Sequence, residues 1–529
     1  MMDATYNWWF ASAFVLILVL QPEISESANI LSVFPFASRS HNNVYGTIIK
    51  ALADKGHSFT SITSQPLNSP PPGFKQIDFS DVANKHLNLF SNSTEEKGML
   101  EVVLNMKEMG DDICRSTLFH PEVKKLLNPS KNSERFDLIL TSTFLSECFY
   151  GLAHINEAPI VLLCPTGPFH ITYNTLGILG LPSFISNIMN GYTDHMTFPQ
   201  RVINTVITYG HMLFNHYYIL KDVDSIMKEA YGKNIPLFSE LEKNISLVLV
   251  NHHFSLNGGR PLVPNLIEMG GLHIKPPKEL PKDLKMFMDG ASEHGIIYVS
   301  FGSILKSSNF PVEVRDAFIG AFSQLKQTVL WKWEGESPLP GQTKNIRLEK
   351  WLPQQDVFAH PKVKLFITHG GLLSMQEAAS RGVPLIGIPF YGDQFYNLER
   401  AEELQIGVKL NAKNITKENL LNAINKVLGD PMYENNMKNV MSVMADQKEH
   451  PLERAIYWIE YVMRHKGAKH MRPASADLKW YQLYMLDVLF VLTVIPMALL
   501  SLTLYILLRL IRKFSHSKEK TRDSLKKSQ

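Results

Sequence analysis

Between Trp351 and Gln394 the chain reads WLPQQDVFAHPKVKLFITHGGLLSMQEAASRGVPLIGIPFYGDQ, a stretch compatible with few folds. The apolar run Val363 to Ile367 has the length of a buried strand and leads into Thr368-His369-Gly370-Gly371. A helix-like segment carrying Ser374 and Glu377 follows, then a second apolar run, Pro384 to Pro389, before Asp393-Gln394. Strand, glycine turn and helix in that order aim backbone N–H groups at an anion. Two strand ends therefore deliver His369, Ser374, Glu377, Asp393 and Gln394 to one rim of a parallel sheet, where open α/β sheets bind ligands.

The pattern F-I-T-H-G-G-x-x-S-x-x-E, followed by P-L-I-x-x-P and D-Q, closely resembles the signature of the UDP-glycosyltransferases, the family that includes the glucuronosyltransferases. W-L-P-Q at Trp351 to Gln354 fits it too, and the HGGLLS wording looks most like the insect branch. The likeness runs through most of the chain and is strongest between Gly295 and Arg400. It implies a GT-B architecture of two facing Rossmann-like α/β domains, with UDP-sugar on the C-terminal domain and acceptor on the N-terminal one.

The residues outside the signature agree with an α/β reading. A chain of 529 residues accommodates two domains of ordinary size. In the first half, Ile30 to Phe34, Ser58 to Ile62, Phe136 to Leu140 and Pro159 to Leu163 read as strands alternating with helical patterns. Val44, Ile48, Ile49 and Leu52 repeat at helical spacing after the first strand, and His41 opens that helix. The alternation predicts one doubly wound domain over 28–269 and a stiff linker over 270–281, which contains Pro276-Pro277 and Pro281. A second alternating domain with return helices is expected over 282–482. It begins with the strand Ile296 to Val299 and the loop Ser300-Phe301-Gly302-Ser303, and includes a strand at Val329 to Trp333 and a helix near Lys417 to Leu428. Between Gly167 and Tyr218 the alternation breaks, and aromatic residues such as Phe169, Tyr173, Phe198 and Tyr217 crowd the segment. An apolar acceptor pocket, a membrane-facing loop and ordinary core would each use them.

The ends of the chain read as addresses. Residues 1–27 resemble a secretory signal, with an apolar core from Trp8 to Leu20 and small residues before Ala28. Asp3 and the absence of Lys or Arg ahead of that core leave an uncleaved anchor as the competing reading. The segment 483–508 contains the one stretch long enough to span a bilayer, for which about 20 residues are needed. Arg509, Arg512, Lys513 and further basic residues follow it, so the tail over 509–529 is expected in the cytosol and the main body in the lumen. Lys526-Lys527-Ser528-Gln529 resembles a retrieval signal of endoplasmic-reticulum membrane proteins, so a single-pass type I protein of that membrane is expected. The sequons at Asn92, Asn244 and Asn414 then fall on the lumenal side. Cys114, Cys148 and Cys164 lack metal spacing and read as buried free thiols, with one disulfide as the alternative. A formal net charge of +3 is too small to argue for a nucleic-acid partner.

Transfer from a UDP-sugar needs a grip on the nucleotide, stabilisation of the leaving charge and a base for the acceptor. The resemblance assigns Trp351 to stacking on uracil, where a large planar indole suits the face of the base. Gln354 and Glu377 would bond the ribose hydroxyls, a carboxylate being a strong acceptor for a diol. Ser303, His369, Ser374 and the helix N-terminus after Gly371 would stabilise the diphosphate. Asp393 and Gln394 would clamp the sugar. No Asp-x-Asp pair stands at a strand end, so neither a metal nor another cofactor is expected. His41, at a first-strand end, is the candidate base, and attack from the far side of the anomeric carbon would invert it. Many relatives place an aspartate near this histidine, just after the strand equivalent to Phe136 to Leu140. Here Thr141-Ser142-Thr143 stands there, and Glu147 is the candidate partner.

These readings add up to a membrane-anchored inverting hexosyltransferase acting on hydroxyls of small lipophilic acceptors, alone or as a homo- or hetero-oligomer. UDP-glucose is the expected donor and UDP-glucuronic acid the alternative. A non-catalytic membrane partner that binds nucleotide sugars is the reading from another class, kept open by the missing aspartate. A single-span receptor predicts no complete donor motif.

Overall fold

The computed structural model describes residues 27–36, 38–91, 99–127 and 135–527. The expected signal segment, apart from its last residue, and Asn92 lie outside these ranges.

The N-terminal half contains β1 (Asn29–Phe34), α1 (Arg39–Asp54), β2 (Ser58–Thr63), β3 (Phe74–Asp78), α2 (Met99–Leu118), β4 (Leu138–Ser142) and β5 (Ile160–Cys164). After these come α3 (Phe198–Phe214), α4 (Leu220–Tyr231), β6 (Ile245–Val250) and β7 (Leu266–Glu268). All pairings in this half are parallel, in a seven-stranded sheet of order β3-β2-β1-β4-β5-β6-β7. β4, β5 and β6 are buried along their whole length, which explains their near-continuous apolar sequences.

The C-terminal half contains β8 (Ile296–Ser300), β9 (Thr328–Lys332), β10 (Ile346–Glu349), β11 (Val363–Thr368), α5 (Leu372–Ala379), β12 (Leu385–Gly387), α6 (Gln394–Glu403) and β13 (Gly407–Lys409). These strands form a second, six-stranded parallel sheet of order β10-β9-β8-β11-β12-β13. β12 is shorter than the apolar run that announces it. Pro384 and Pro389 bracket the run and lack the N–H that a ladder needs.

Helix α7 (Pro451–Arg464) follows the second sheet in sequence but packs on the first. Its Ala455, Ile456, Ile459 and Val462 share one core with Ile30, Ile48, Leu52 and Leu138. Glu460 at the edge of that contact accepts from Lys55 Nζ at 2.9 Å and sits 3.5 Å from His57 Nε2. His57 Nδ1 accepts from the backbone of Ala28, so the ring is a structural joint. Arg454 ties the two chain crossings together. It donates to the carbonyl of Glu268, before the first crossing, and to Gln447 and Glu449 in the second. Helix α8 (Leu486–Lys527) ends the described chain, and the 18-residue apolar window within it is wholly unburied.

Free thiols were the leading expectation for the cysteines, and the structure corrects it for two of the three. Cys114 on α2 and Cys148 after β4 form a disulfide, while Cys164 is free and buried in β5. Their sequence separation of 34 carries no motif, and only the packing of α2 beside β4 brings them together.

Candidate donor and acceptor sites

Each sheet reverses its strand order once: between β1 and β4 in the first, and between β8 and β11 in the second. Crevices form outside the carboxyl ends of the strands at such switch points. The first turn of α1, after β1, carries His41 into the first crevice, and the segment after β4 carries Thr143 and Glu147. In the second crevice, Ser303 follows β8 and His369 follows β11.

On the donor side the glycines are set by space. Gly370 has φ +85°, and Gly302 has φ +87°, conformations that disfavour a side chain. A Cβ on Gly302 would come within 2.7 Å of the His369 ring, and one on Gly371 would stand 2.7 Å from it as well. The imidazole therefore lies against the backbone of both loops. Burial and the neighbouring Lys332 hold His369 down at about 4, so the ring is neutral at pH 7 and offers a dipole rather than a charge. Lys332 Nζ donates to the Gly302 carbonyl at 2.9 Å and pairs with Glu334 at 2.5 Å. Ser303 is exposed in its loop.

The ribose candidates are already joined. Gln354 Nε2 donates to Glu377 Oε2 at 2.5 Å and to Ser374 Oγ at 3.0 Å, while its Oε1 accepts from Tyr298 at 3.0 Å. Gln355 holds the other Glu377 oxygen at 2.9 Å, with His273 3.4 Å from it. Ser374 thus joins the carboxamide–carboxylate network in the first turn of α5. Trp351 is 56% exposed, and the guanidinium of Arg39 lies 4.4 Å from the ring centre. Arg39 opens α1 of the other domain, so this stack crosses the cleft.

Asp393 is half-buried at the start of α6, where burial raises its carboxyl and Asn397 donates to it at 2.8 Å. Gln394 is buried, and its Oε1 accepts from the backbone N–H groups of Phe390 and Tyr391 at 2.8 and 3.2 Å. That carbonyl braces the turn that presents Asp393.

His41 lies in the first turn of α1, where its backbone N–H donates to the Ser38 cap at 3.3 Å. Its ring sits between Phe144 and Tyr45, with centroids 6.2 and 6.4 Å away. Burial holds the imidazole down at about 4. Among the described residues no carboxylate is bonded to it. Glu147 reaches the same cavity, where burial pushes its pKa up against a smaller downward pull from the backbone of its own turn. The predicted His41–Glu147 pair is not formed. Ser142, in the stretch where the family resemblance leads to the expectation of an aspartate, bonds Tyr45 OH at 2.8 Å and the Phe144 N–H at 3.0 Å.

A cavity of about 300 Å³ joins the two sides. His41, Phe144 and Glu147 line it from the first domain, Phe169 and His211 from the aromatic-rich insertion, and Asp393 from the second domain. Among the described residues no three His, Cys, Asp or Glu side chains gather as a metal would require.

A family model described as UDP-glucoronosyl and UDP-glucosyl transferase matches residues 17–521. The chain belongs to the UDP-glycosyltransferase family. Similar proteins include UDP-glycosyltransferase UGT5 of Dactylopius coccus, 36% identical with 91% of this chain and 92% of that one covered. UDP-glucosyltransferase 2 of the same insect is 34% identical over 95% of this chain and 97% of its own. UDP-glucuronosyltransferase 2B18 of Macaca fascicularis is 32% identical over 86% and 88%. Among solved structures, a UDP-glucosyltransferase from Polygonum tinctorium superposes with TM-score 0.57 at 17% identity, covering 83% of this chain and 99% of that one. The fold of this UDP-glycosyltransferase is therefore GT-B, and its donor is a UDP-sugar.

Sequence reasoning missed Arg39, Lys332, Gln355 and His273. Gln355 adjoins Gln354 in the motif and was visible in principle. Arg39 and His273 reach the site only through the facing of the two domains. Of the sequons, Asn244 and Asn414 are exposed.

Proposed function

We propose that this enzyme transfers a hexose from UDP-glucose to a hydroxyl of a small lipophilic acceptor, with His41 as general base and inversion at the anomeric carbon. The observation that carries this reading is the single cavity lined by His41 from one domain and Asp393 from the other. An acceptor there has its hydroxyl beside the imidazole and faces the loop that would hold the sugar. A neutral imidazole is in the form that takes a proton. Burial among Phe144 and Tyr45 makes it a weak base, and among the described residues no carboxylate is bonded to support the imidazolium it becomes. The reaction then leans on donor-side stabilisation: the N–H groups opening α5, the His369 dipole and Lys332 would take up the charge of the departing diphosphate. No metal is assigned a part.

UDP-glucose is favoured over UDP-glucuronic acid by the state of two arginines, Arg400 in α6 and Arg260 against it. Arg260 pairs with Asp194 at 2.9 Å through one terminal nitrogen, and Arg400 with Glu403 at 2.5 Å, so each guanidinium already has a carboxylate partner. We place the two domains in the lumen of the endoplasmic reticulum, anchored by α8. Kinetics on purified microsomes with UDP-glucose, UDP-glucuronic acid and a panel of phenols test the assignment. His41→Ala is expected to lower turnover of weakly acidic acceptors by about 10²–10⁴-fold with UDP binding unchanged. Full activity of that variant toward simple alcohols overturns the base, and faster transfer from UDP-glucuronic acid overturns the donor.

A further inference from the structure

Helix α3 has two faces with different surroundings. Asn204 and Thr208 on one side are buried, and His211, Asn215 and Ile219 continue that side into the acceptor cavity through a π-helical turn at Asn215–Ile219. On the other side Phe198, Val202, Val206 and Leu213 recur near helical spacing and are exposed, with Tyr217 beyond them. Phe198 and Tyr217 are each 71% exposed, and Val206 is 68% exposed. A contiguous apolar stripe of this kind on a soluble surface calls for a partner.

Its position says which partner. Tyr209, on the same side of the helix, packs on Tyr484 with hydroxyls 3.4 Å apart, two residues before α8 begins. The chain leading to that contact is clamped to the acceptor domain. Arg472 donates to the carbonyl of Lys243 and pairs with Asp477 at 2.9 Å. Gly177, at φ +68°, leaves space that the backbone of Ala476 fills. The exposed aromatics Trp480 and Tyr217 and the Arg201 guanidinium, 5.8 Å from the Phe198 ring, are residue types found at the level of lipid headgroups.

We propose that α3 lies in the lumenal surface of the bilayer beside the anchor, its stripe from Phe198 to Tyr217 in the acyl-chain boundary, so that lipophilic acceptors pass from lipid into the cavity lined by the helix's other face. This rests on α8 being a membrane anchor. One helix then separates the lipid from His41's cavity, and the acceptor concentration that counts is the one dissolved in the membrane.

The test uses the full chain in lipid nanodiscs, with single cysteines at Val206, Leu213 and, as a control on the donor domain, the exposed Met286, each carrying an environment-sensitive fluorophore. Lipids brominated on their acyl chains should quench the labels at 206 and 213 and leave 286 bright, and aqueous iodide should do the reverse. The Val206→Glu/Leu213→Glu pair should raise KM several-fold for an acceptor that partitions into the bilayer, with KM for a water-soluble phenol unchanged. Iodide quenching at 206 equal to that at 286, or an equal rise of both KM values, overturns the proposal. Release of the protein from membranes by alkaline carbonate would instead overturn the anchor itself.

Discussion

The stack of Arg39 on Trp351 makes the affinity for UDP a sensitive test of the donor site. The guanidinium covers the half-exposed indole at 4.4 Å. Uracil must displace it to use that face. A cation–π contact at such exposure is worth about 0.5–1 kcal/mol. Removing it by Arg39→Ala should therefore tighten UDP binding by roughly 2- to 5-fold at 0.59 kcal/mol per factor of e. Base–aromatic stacking is worth about 1–3 kcal/mol, so Trp351→Ala should weaken binding by roughly 5- to 150-fold. The double variant should match Trp351→Ala alone, because Arg39 acts only through the ring; a thermodynamic cycle of this kind isolates the coupling. Titration calorimetry with UDP on the solubilised enzyme reads all four proteins. If Arg39→Ala weakens binding, the guanidinium reaches the diphosphate instead of obstructing the base, and the displacement reasoning is wrong. An unchanged Trp351→Ala would remove the indole from the site.

Other outcomes follow from the same geometry. Because burial holds His41 at about 4, the acid limb of kcat/KM should fall near pH 4 and not near the ordinary histidine value of 6.5. His41, His170 and His369 all sit at about 4 in the fold, below that unfolded value, so proton uptake favours the unfolded chain. Their contribution to stability is complete above pH 6.5 and shrinks as pH falls from there toward 4, which thermal melts across that window should show. Glu147→Gln should leave the His41 limb in place, and a shifted limb would mean the carboxylate reaches the ring during turnover. Ser142→Asp should move the limb upward if a carboxylate there faces the imidazole. Gly302→Ala should disturb the His369 ring and weaken UDP binding, a variant with native affinity showing that the ring has room to move.

What the sequence disclosed tracks where physics is local. Buried strands such as Ile30 to Phe34 and Val363 to Ile367 announce themselves as apolar runs, and both glycine turns are legible as punctuation. β3 and β13 were not legible, because half-exposed strands at a sheet edge carry mixed residues such as FKQID and GVK. The resemblance assigns Ser374 to the diphosphate, and its bond from Gln354, 20 residues earlier, was not legible in the sequence. The disulfide, the Arg39 stack and the isolation of His41 from Glu147 depend on how distant segments meet. No periodicity in one strand or helix encodes such a meeting. The aromatic insertion was read three ways at once, and the structure shows why: α3 serves the cavity with one face while the other faces outward.

The return of α7 to the first sheet has a mechanical consequence. Although α8 follows the second domain in sequence, the segment leading to it hangs from the first domain, so with α8 as the proposed anchor that domain would be the stator, held to the bilayer. The donor domain is attached through two crossings stapled side by side by Arg454, which together form a single hinge line. On that proposal, an opening of the cleft for UDP to leave would turn the second domain about that line, while His41 and its cavity would keep their height above the membrane.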